Sequence, residues 1–114
     1  MTTVKIDQDV EAADFWSAVM GSAGTSWGWW LGEEYLSGSW DVPGIVRLTI
    51  TDPDDEDKAI SKDVTLDDLV EAYKKAVVTS RDPFTGANLE WDNLDASGSD
   101  CILQTAVLGE VVYG

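Results

Sequence analysis

The sequence predicts a single α+β domain over residues 1–114, with about four strands and three helices in the order β-α-β-β-β-α-α. Three observations carry that expectation. At 114 residues with 44% hydrophobic content, the chain holds enough apolar side chains for one core and too few residues for two. Strict alternation at Val46, Leu48 and Ile50 marks an amphipathic strand, whereas Leu66, Leu69, Val70, Tyr73, Ala76 and Val77 recur at helical spacing. Strands and helices succeed one another without an internal repeat or a low-complexity linker, which favours α+β over a repeat array.

Val4 and Ile6 alternate with Lys5 and Asp7, a short first strand that ends at the acidic step 7–9. Asp9 is placed to cap the helix that follows. There Ala12, Phe15, Trp16, Val19 and Met20 share a face opposite Glu11 and Asp14, and Gly21 ends the run. Residues 22–28 are small and polar and read as a loop. Trp27, Trp29, Leu31 and Tyr35 then stand at period-two spacing, a strand with Trp30 on its other face and with Gly28 and Gly32 leaving room beside the rings. A turn at 37–39 leads to an antiparallel hairpin over 45–64. It comprises the strand through Val46, Leu48 and Ile50, a charged turn over 52–58, and a return strand over 59–64 whose apolar face Lys62 interrupts.

Thr65, with Asp68 three residues on, forms a capping-box start for the second helix, Asp replacing the usual Glu. Residues 79–93 read as an irregular connection broken by Pro83 and Gly86, with Trp91 as an anchor to the core. Ser97 or Ser99 is placed to cap a last helix over about 100–112. Its Ile102, Leu103, Ala106, Val107, Leu108 and Val111 leave only a narrow polar side, which predicts a central, buried position. Such breadth of apolar surface also makes a homodimer an expectation, with a second copy covering that helix.

Twenty-two Asp and Glu stand against seven Lys and Arg, for a net charge of −15 with no His. A field of that sign repels phosphate backbones and anionic membranes. The basic residues are too scattered to invert it locally, so direct nucleic-acid and membrane binding are disfavoured. No run of about 18 apolar residues exists, and the first residues lack the basic-then-apolar order of a signal peptide, so a cytoplasmic location is expected. Cys101 is the single cysteine, which removes an intrachain disulfide and points to a small buried hydrophobe. Without His there is no Ser-His-Asp triad, no Cys-His pair and no His-ligated metal, and neither GxGxxG nor a P-loop pattern is present. The expectation is a non-enzymatic protein with no catalytic residue, no cofactor and no metal site.

The acids are then the principal candidates for function. Glu33, Glu34, Asp54, Asp55, Glu56, Asp57, Asp67, Asp68 and Glu71 are the candidate partner-binding residues. Asp67, Asp68 and Glu71 share an exposed side of the second helix, where the like-charged pair Asp67 and Glu71 at i,i+4 opposes helix stability, although Lys74 and Lys75 lie nearby. Duplex DNA carries about one charge per 1.7 Å of axis, and rows of carboxylates on a rigid domain can occupy a basic groove built for it. A surface that serves only solubility is the alternative. The acids of 52–57, with Asp63 at the twelfth place, partly resemble a calcium loop. Position six is not Gly, position twelve is not Glu, and a strand rather than a helix precedes, so a solvated turn is expected.

Trp27, Trp29, Trp30, Tyr35 and Trp40 read either as core or as an exposed contact surface. Trp29 and Trp40 are the aromatic contact candidates, placed to stack a sugar or a base oriented by Glu33, Glu34 or Asp41. The abundance of carboxylates also leaves a carboxylate-dependent hydrolase open.

Two stretches carry a resemblance: Asp14-Phe15-Trp16-Ser17-Ala18-Val19-Met20-Gly21, and Asp100-Cys101-Ile102-Leu103-Gln104-Thr105-Ala106-Val107-Leu108-Gly109-Glu110-Val111-Val112-Tyr113-Gly114. With the Trp-rich middle, they resemble small acidic accessory proteins encoded by actinobacterial phages, over most of the chain. The resemblance implies no activity and no catalytic residue. It implies a setting in the cytoplasm of a bacterial host, and a host or defence protein as the partner to be bound and inhibited, including one that itself binds nucleic acid.

Overall fold

The computed structural model describes residues 3–5, 9–79 and 94–113. Trp91 and nearly all of the connection expected over 79–93 lie outside the described residues. The elements are β1 (Thr3–Lys5), β2 (Asp9–Glu11), α1 (Ala12–Met20), β3 (Trp30–Ser37), β4 (Ile45–Asp52), β5 (Asp55–Val64), α2 (Leu66–Thr79) and α3 (Ala96–Leu108). The domain is α+β, with the predicted three helices and the predicted hairpin. Strands β3, β4 and β5 form one antiparallel sheet in that order, and β1 and β2 form a separate two-stranded ribbon.

The helices cover one face of the larger sheet. Val46, Leu48 and Ile50 of β4 are fully buried, as are Phe15, Trp16 and Val19 of α1, Leu69 and Ala76 of α2, and Ile102 of α3. Each buried Val, Leu, Ile or Phe among these contributes about 1.5–3 kcal/mol relative to an exposed position. Phe15 meets Tyr73 edge-on, with ring centroids 5.5 Å apart, and this locks α1 to α2. Helix α3 lies at the centre, and every residue from Gly98 to Ala106 is buried. That stretch of its surface is covered by its own chain. The other sheet face is polar: Arg47 pairs with Asp63 at 2.8 Å, and the Thr49 and Ser61 hydroxyls lie 2.8 Å apart.

Local chemistry explains where the elements start and stop. The capping box of α2 forms as expected: the Thr65 amide donates to Asp68 Oδ2 at 2.9 Å, and the Asp68 amide reaches back to Thr65 Oγ1 at 3.4 Å. Lys62, which breaks the apolar face of β5, donates to the Ala106 carbonyl at 2.8 Å. That carbonyl belongs to the last turn of α3, where backbone acceptors lack intrahelical donors and a cation is favoured. Gly109 closes α3 in the left-handed conformation, φ 83°, its amide returning to the Thr105 carbonyl.

Several expectations are corrected. Asp9 does not cap α1. The chain at 9–11 is still paired with β1, so the cap position falls on Glu11, whose side chain makes no capping bond. Neither Ser97 nor Ser99 caps α3. Asp95 does, accepting from the Gly98 amide at 2.7 Å, and the helix starts earlier than expected. Ser99 instead donates to the Val19 carbonyl at 2.6 Å and joins α3 to α1. Val111 falls beyond the helix and is exposed.

The charged turn expected over 52–58 shrinks to Pro53 and Asp54, because Asp52 Oδ1 accepts the Asp54 amide at 2.9 Å and closes it. Asp55, Glu56 and Asp57 are therefore residues of the edge strand β5, where exposure makes charge tolerable.

Strand β3 departs most from simple alternation. Trp30 pairs with Ile50 but Gly32 with Thr49, so Leu31 is an extra residue. Tyr35 pairs with Val46 and Ser37 with Ile45, so Leu36 is another. Each bulge reverses the phase of the strand. Trp30 turns inward and is buried, while Leu31 is 57% exposed. Trp27 and Trp29 precede the strand altogether.

The close approach of the 21–25 turn to α3 yields a first prediction. A methyl on Gly24 would lie 2.7 Å from Ser99 Cβ and 2.8 Å from the Asp100 amide, and closer still to Ser99 Oγ. Gly24→Ala is therefore expected to cost about 1–3 kcal/mol, the usual range for overpacking. Urea denaturation measures it, and an unchanged midpoint would contradict this packing.

Candidate functional site

The buried carboxylate of Asp100 organises one end of the molecule. It is 5% exposed and sits in the first turns of α3. Its Oδ1 accepts from Trp30 Nε1 at 2.7 Å and from Trp29 Nε1 at 3.0 Å, and its Oδ2 accepts from Gln104 Nε2 at 2.9 Å. Gln104, fully buried one turn later, also holds the segment that follows α3. Its Oε1 accepts the amides of Val112 and Tyr113 at 2.9 and 2.8 Å, and its Nε2 donates to the Tyr113 carbonyl at 3.0 Å. Tyr113 then donates from its phenol to the Thr51 carbonyl at 2.7 Å, on the β4–β5 hairpin. A buried polar network of this kind is stabilising only when each member is satisfied. Among the described residues, no buried side-chain nitrogen or oxygen lacks a partner.

The network builds an aromatic wall. Trp29 stacks near-parallel with Trp27 at 5.7 Å and with Tyr113 at 5.6 Å. Trp29 and Tyr113 line an open groove of about 480 Å³ together with Pro53, Asp54 and Glu56 of the hairpin tip. Asp52 and Asp55 also line it, but each is engaged locally: Asp52 Oδ1 accepts the Asp54 amide, and Asp55 Oδ1 accepts the Asp57 amide at 3.1 Å. Lys58 reaches Asp55 at 3.8 Å. Asp54, Glu56 and Asp57 are exposed, with no cation of the described chain paired to them.

The remaining candidate acids are dispersed. Glu33 accepts from the Tyr35 phenol at 3.2 Å and from Thr25 Oγ1 at 3.3 Å. Burial of that phenol, together with the Glu33 charge, pushes Tyr35 well above the ordinary tyrosine range. Glu34 stands across from Arg47 in the row Glu34, Arg47, Asp63. The bidentate bond from Arg47 holds Asp63 below the usual carboxylate range. Asp63, the supposed twelfth calcium ligand, is thus an ion-pair partner well up the strand from the turn. Among the described residues, no three His, Cys, Asp or Glu side chains come together to hold a metal.

On α2, Asp68 is consumed by the capping box and Glu71 lies 3.6 Å from Lys74, while Asp67 is exposed. Between Asp57 and the end of β5 at Val64 the strand runs about 23 Å before α2 begins. No family model, curated protein or solved structure matches the chain.

The aromatic candidates divide. Trp40 is 55% exposed and rests against Gly21 at the end of α1. Trp29 is half-buried, hydrogen-bonded to Asp100 and common to both stacked pairs, so a sugar or base has to compete with rings already in place. Asp100, Gln104 and Tyr113, which shape the groove, are not among the candidates drawn from the sequence. Asp100 and Gln104, at i,i+4 on one side of a largely apolar helix, were the available signal. Cys101 is buried, and that burial, with the nearby Asp100 and Asp95 charges, raises its thiol and keeps it in the unreactive form. Among the described residues, no helix is long and apolar enough to cross a membrane.

Proposed function

We propose that this chain is a non-enzymatic binding protein that seats its acidic β4–β5 hairpin on a basic surface of a partner protein, as a local mimic of nucleic-acid phosphates. The observation that carries the reading is the set of exposed carboxylates of Asp54, Glu56 and Asp57, whose charge is left uncompensated by the described chain. Exposed like charges on one short segment gain nothing from folding and are relieved by a cationic partner. Mimicry is local in this reading. Duplex DNA as long as the 43 Å axis of the molecule carries about 25 charges, against −15 for the whole chain. The acids of α2 lie too far from the hairpin to extend the same contact. Inhibition of a host or defence protein in a bacterial cytoplasm is the setting that the resemblance to phage accessory proteins supplies.

The test is capture of the partner from a bacterial lysate, followed by titration of the purified pair. Affinity is expected to fall at least about tenfold between 50 and 300 mM salt, because exposed charges are screened over about 10 Å at 0.1 M. The triple variant Asp54→Asn, Glu56→Gln, Asp57→Asn is expected to lose as much at low salt, and duplex DNA to compete for the same partner. A complex indifferent to both salt and these substitutions rules the reading out.

A further inference from the structure

The groove lined by the aromatic wall and the hairpin is a built feature, and its chemistry selects an occupant. Its volume, about 480 Å³, falls within the range of organic-ligand sites and far exceeds a bare ion. The wall is fixed before anything binds. Trp29 is held by Asp100, and Tyr113 is held at its backbone by Gln104 and at its phenol by Thr51. A preformed wall spares an incoming group the cost of ordering it.

The carboxylates of Asp54 and Glu56 in the lining attract a cation and repel a phosphate. Trp29 is already stacked with Trp27 and Tyr113, so Tyr113 is the ring of the wall with a face to offer, and that face also favours a cation. A neutral sugar can donate hydroxyls to those two carboxylates but leaves their charge uncompensated. A guanidinium uses every part: its planar fork matches carboxylates bidentately, its face lies favourably against a ring, and its three-carbon stem packs on Pro53 and the indole edge.

We infer that this groove is an arginine-binding site, which receives one arginine side chain from a basic segment of the partner. The inference rests on the reading that the partner surface is basic, and it adds the residue type and the place. Asp54 and Glu56 are the carboxylates that receive the fork. Trp29 and Tyr113 supply the wall.

The probe is a short fluorescein-labelled Gly/Ser peptide with two arginines, beside counterparts in which lysine or neutral citrulline replaces each arginine. At 100 mM salt the arginine peptide is expected to bind several-fold more tightly than the lysine peptide, and the citrulline peptide not to bind. The double variant Asp54→Asn, Glu56→Gln is expected to weaken arginine binding more than about tenfold. The distant variant Asp67→Asn, Glu71→Gln, which removes the same charge, is expected to change it less than about twofold. Tyr113→Leu, with an unchanged circular dichroism spectrum, is expected to weaken it about two- to fivefold.

Equal binding of arginine and lysine peptides, binding of the citrulline peptide, or equal losses in the two double variants would each overturn the site. Failure here and failure of the broader reading are distinguishable. A partner that is salt-sensitive and hairpin-dependent, while the peptides show no arginine preference, removes the groove alone. Arginine-selective peptide binding with a salt-insensitive partner removes the broader reading alone.

Discussion

Replacement of Asp100 by Ala is expected to lower the stability of the domain by about 3–5 kcal/mol, the cost of stranding buried donors that have lost a charged acceptor. Three N–H groups, from Trp29, Trp30 and Gln104, converge on the two oxygens of this side chain. The two indole N–H groups have no other acceptor among the described residues, Gln104 Nε2 keeps only its bond to the Tyr113 carbonyl, and the space vacated is lined by large rings. For a domain of this size each kcal/mol moves the melting temperature by roughly 4 °C, so a fall of more than about 10 °C is expected.

The isosteric change sharpens the argument. In Asp100→Asn one oxygen remains to accept from both indoles, but the amide nitrogen then faces Gln104 Nε2, donor against donor. Gln104 cannot turn over to relieve this without giving up the Val112 and Tyr113 amides that its oxygen holds. About 1–3 kcal/mol is therefore expected for Asp100→Asn. Thermal and urea denaturation measure both values. Near-UV circular dichroism should also report loss of the Trp29–Tyr113 stack. A stability within 0.5 kcal/mol of the parent for Asp100→Ala, a margin typical of about any uninvolved surface change, would show that the network is dispensable.

The second large effect is expected at Trp16. Its side chain is fully buried between α1 and the sheet, and its Nε1 donates to the Ser39 carbonyl at 2.7 Å, in the turn between β3 and β4. Trp16→Ala removes the largest fully buried side chain of the described residues and leaves that carbonyl with the Val42 amide as its one remaining donor among them. The expected loss is about 3–5 kcal/mol, the range for truncating a buried aromatic. Trp16→Phe keeps most of the apolar volume and loses the hydrogen bond, so about 1–3 kcal/mol is expected for it. The difference between the two variants separates packing from the tie to the turn. Equal losses in both would mean that the hydrogen bond, not the volume, dominates.

These effects bear on the proposed contact as well as on stability. Asp100 acts on the groove through Trp29 and through Gln104, which holds the segment bearing Tyr113. Hairpin substitutions such as Asp54→Asn alter exposed charge and leave this frame in place. Binding and folding are thus separable by choice of variant, which makes the charge experiments interpretable.

What the sequence by itself determined is whatever depends on neighbours a few residues apart. The alternation of Val46, Leu48 and Ile50, the stripe of Leu69, Tyr73 and Ala76, and the reciprocal bonds of Thr65 and Asp68 all act within one strand or turn. Each was legible for that reason. The acid-rich composition likewise identified the hairpin residues as candidates, because exposure of charge follows from hydration alone.

The tertiary structure decided the rest, because the deciding contacts join residues far apart in the chain. The bulges at Leu31 and Leu36 arise from pairing with β4 and reverse a phase that local spacing cannot reveal. Lys62 reads as an interruption until the end of α3 arrives beside it, 44 positions later. The acids of 54–57 and 67–71 are close in sequence, yet β5 holds them at opposite ends of the sheet. The groove wall depends on Asp100 meeting indoles some 70 positions away. A buried carboxylate is stable only where such donors converge, and that convergence is a property of the packed chain.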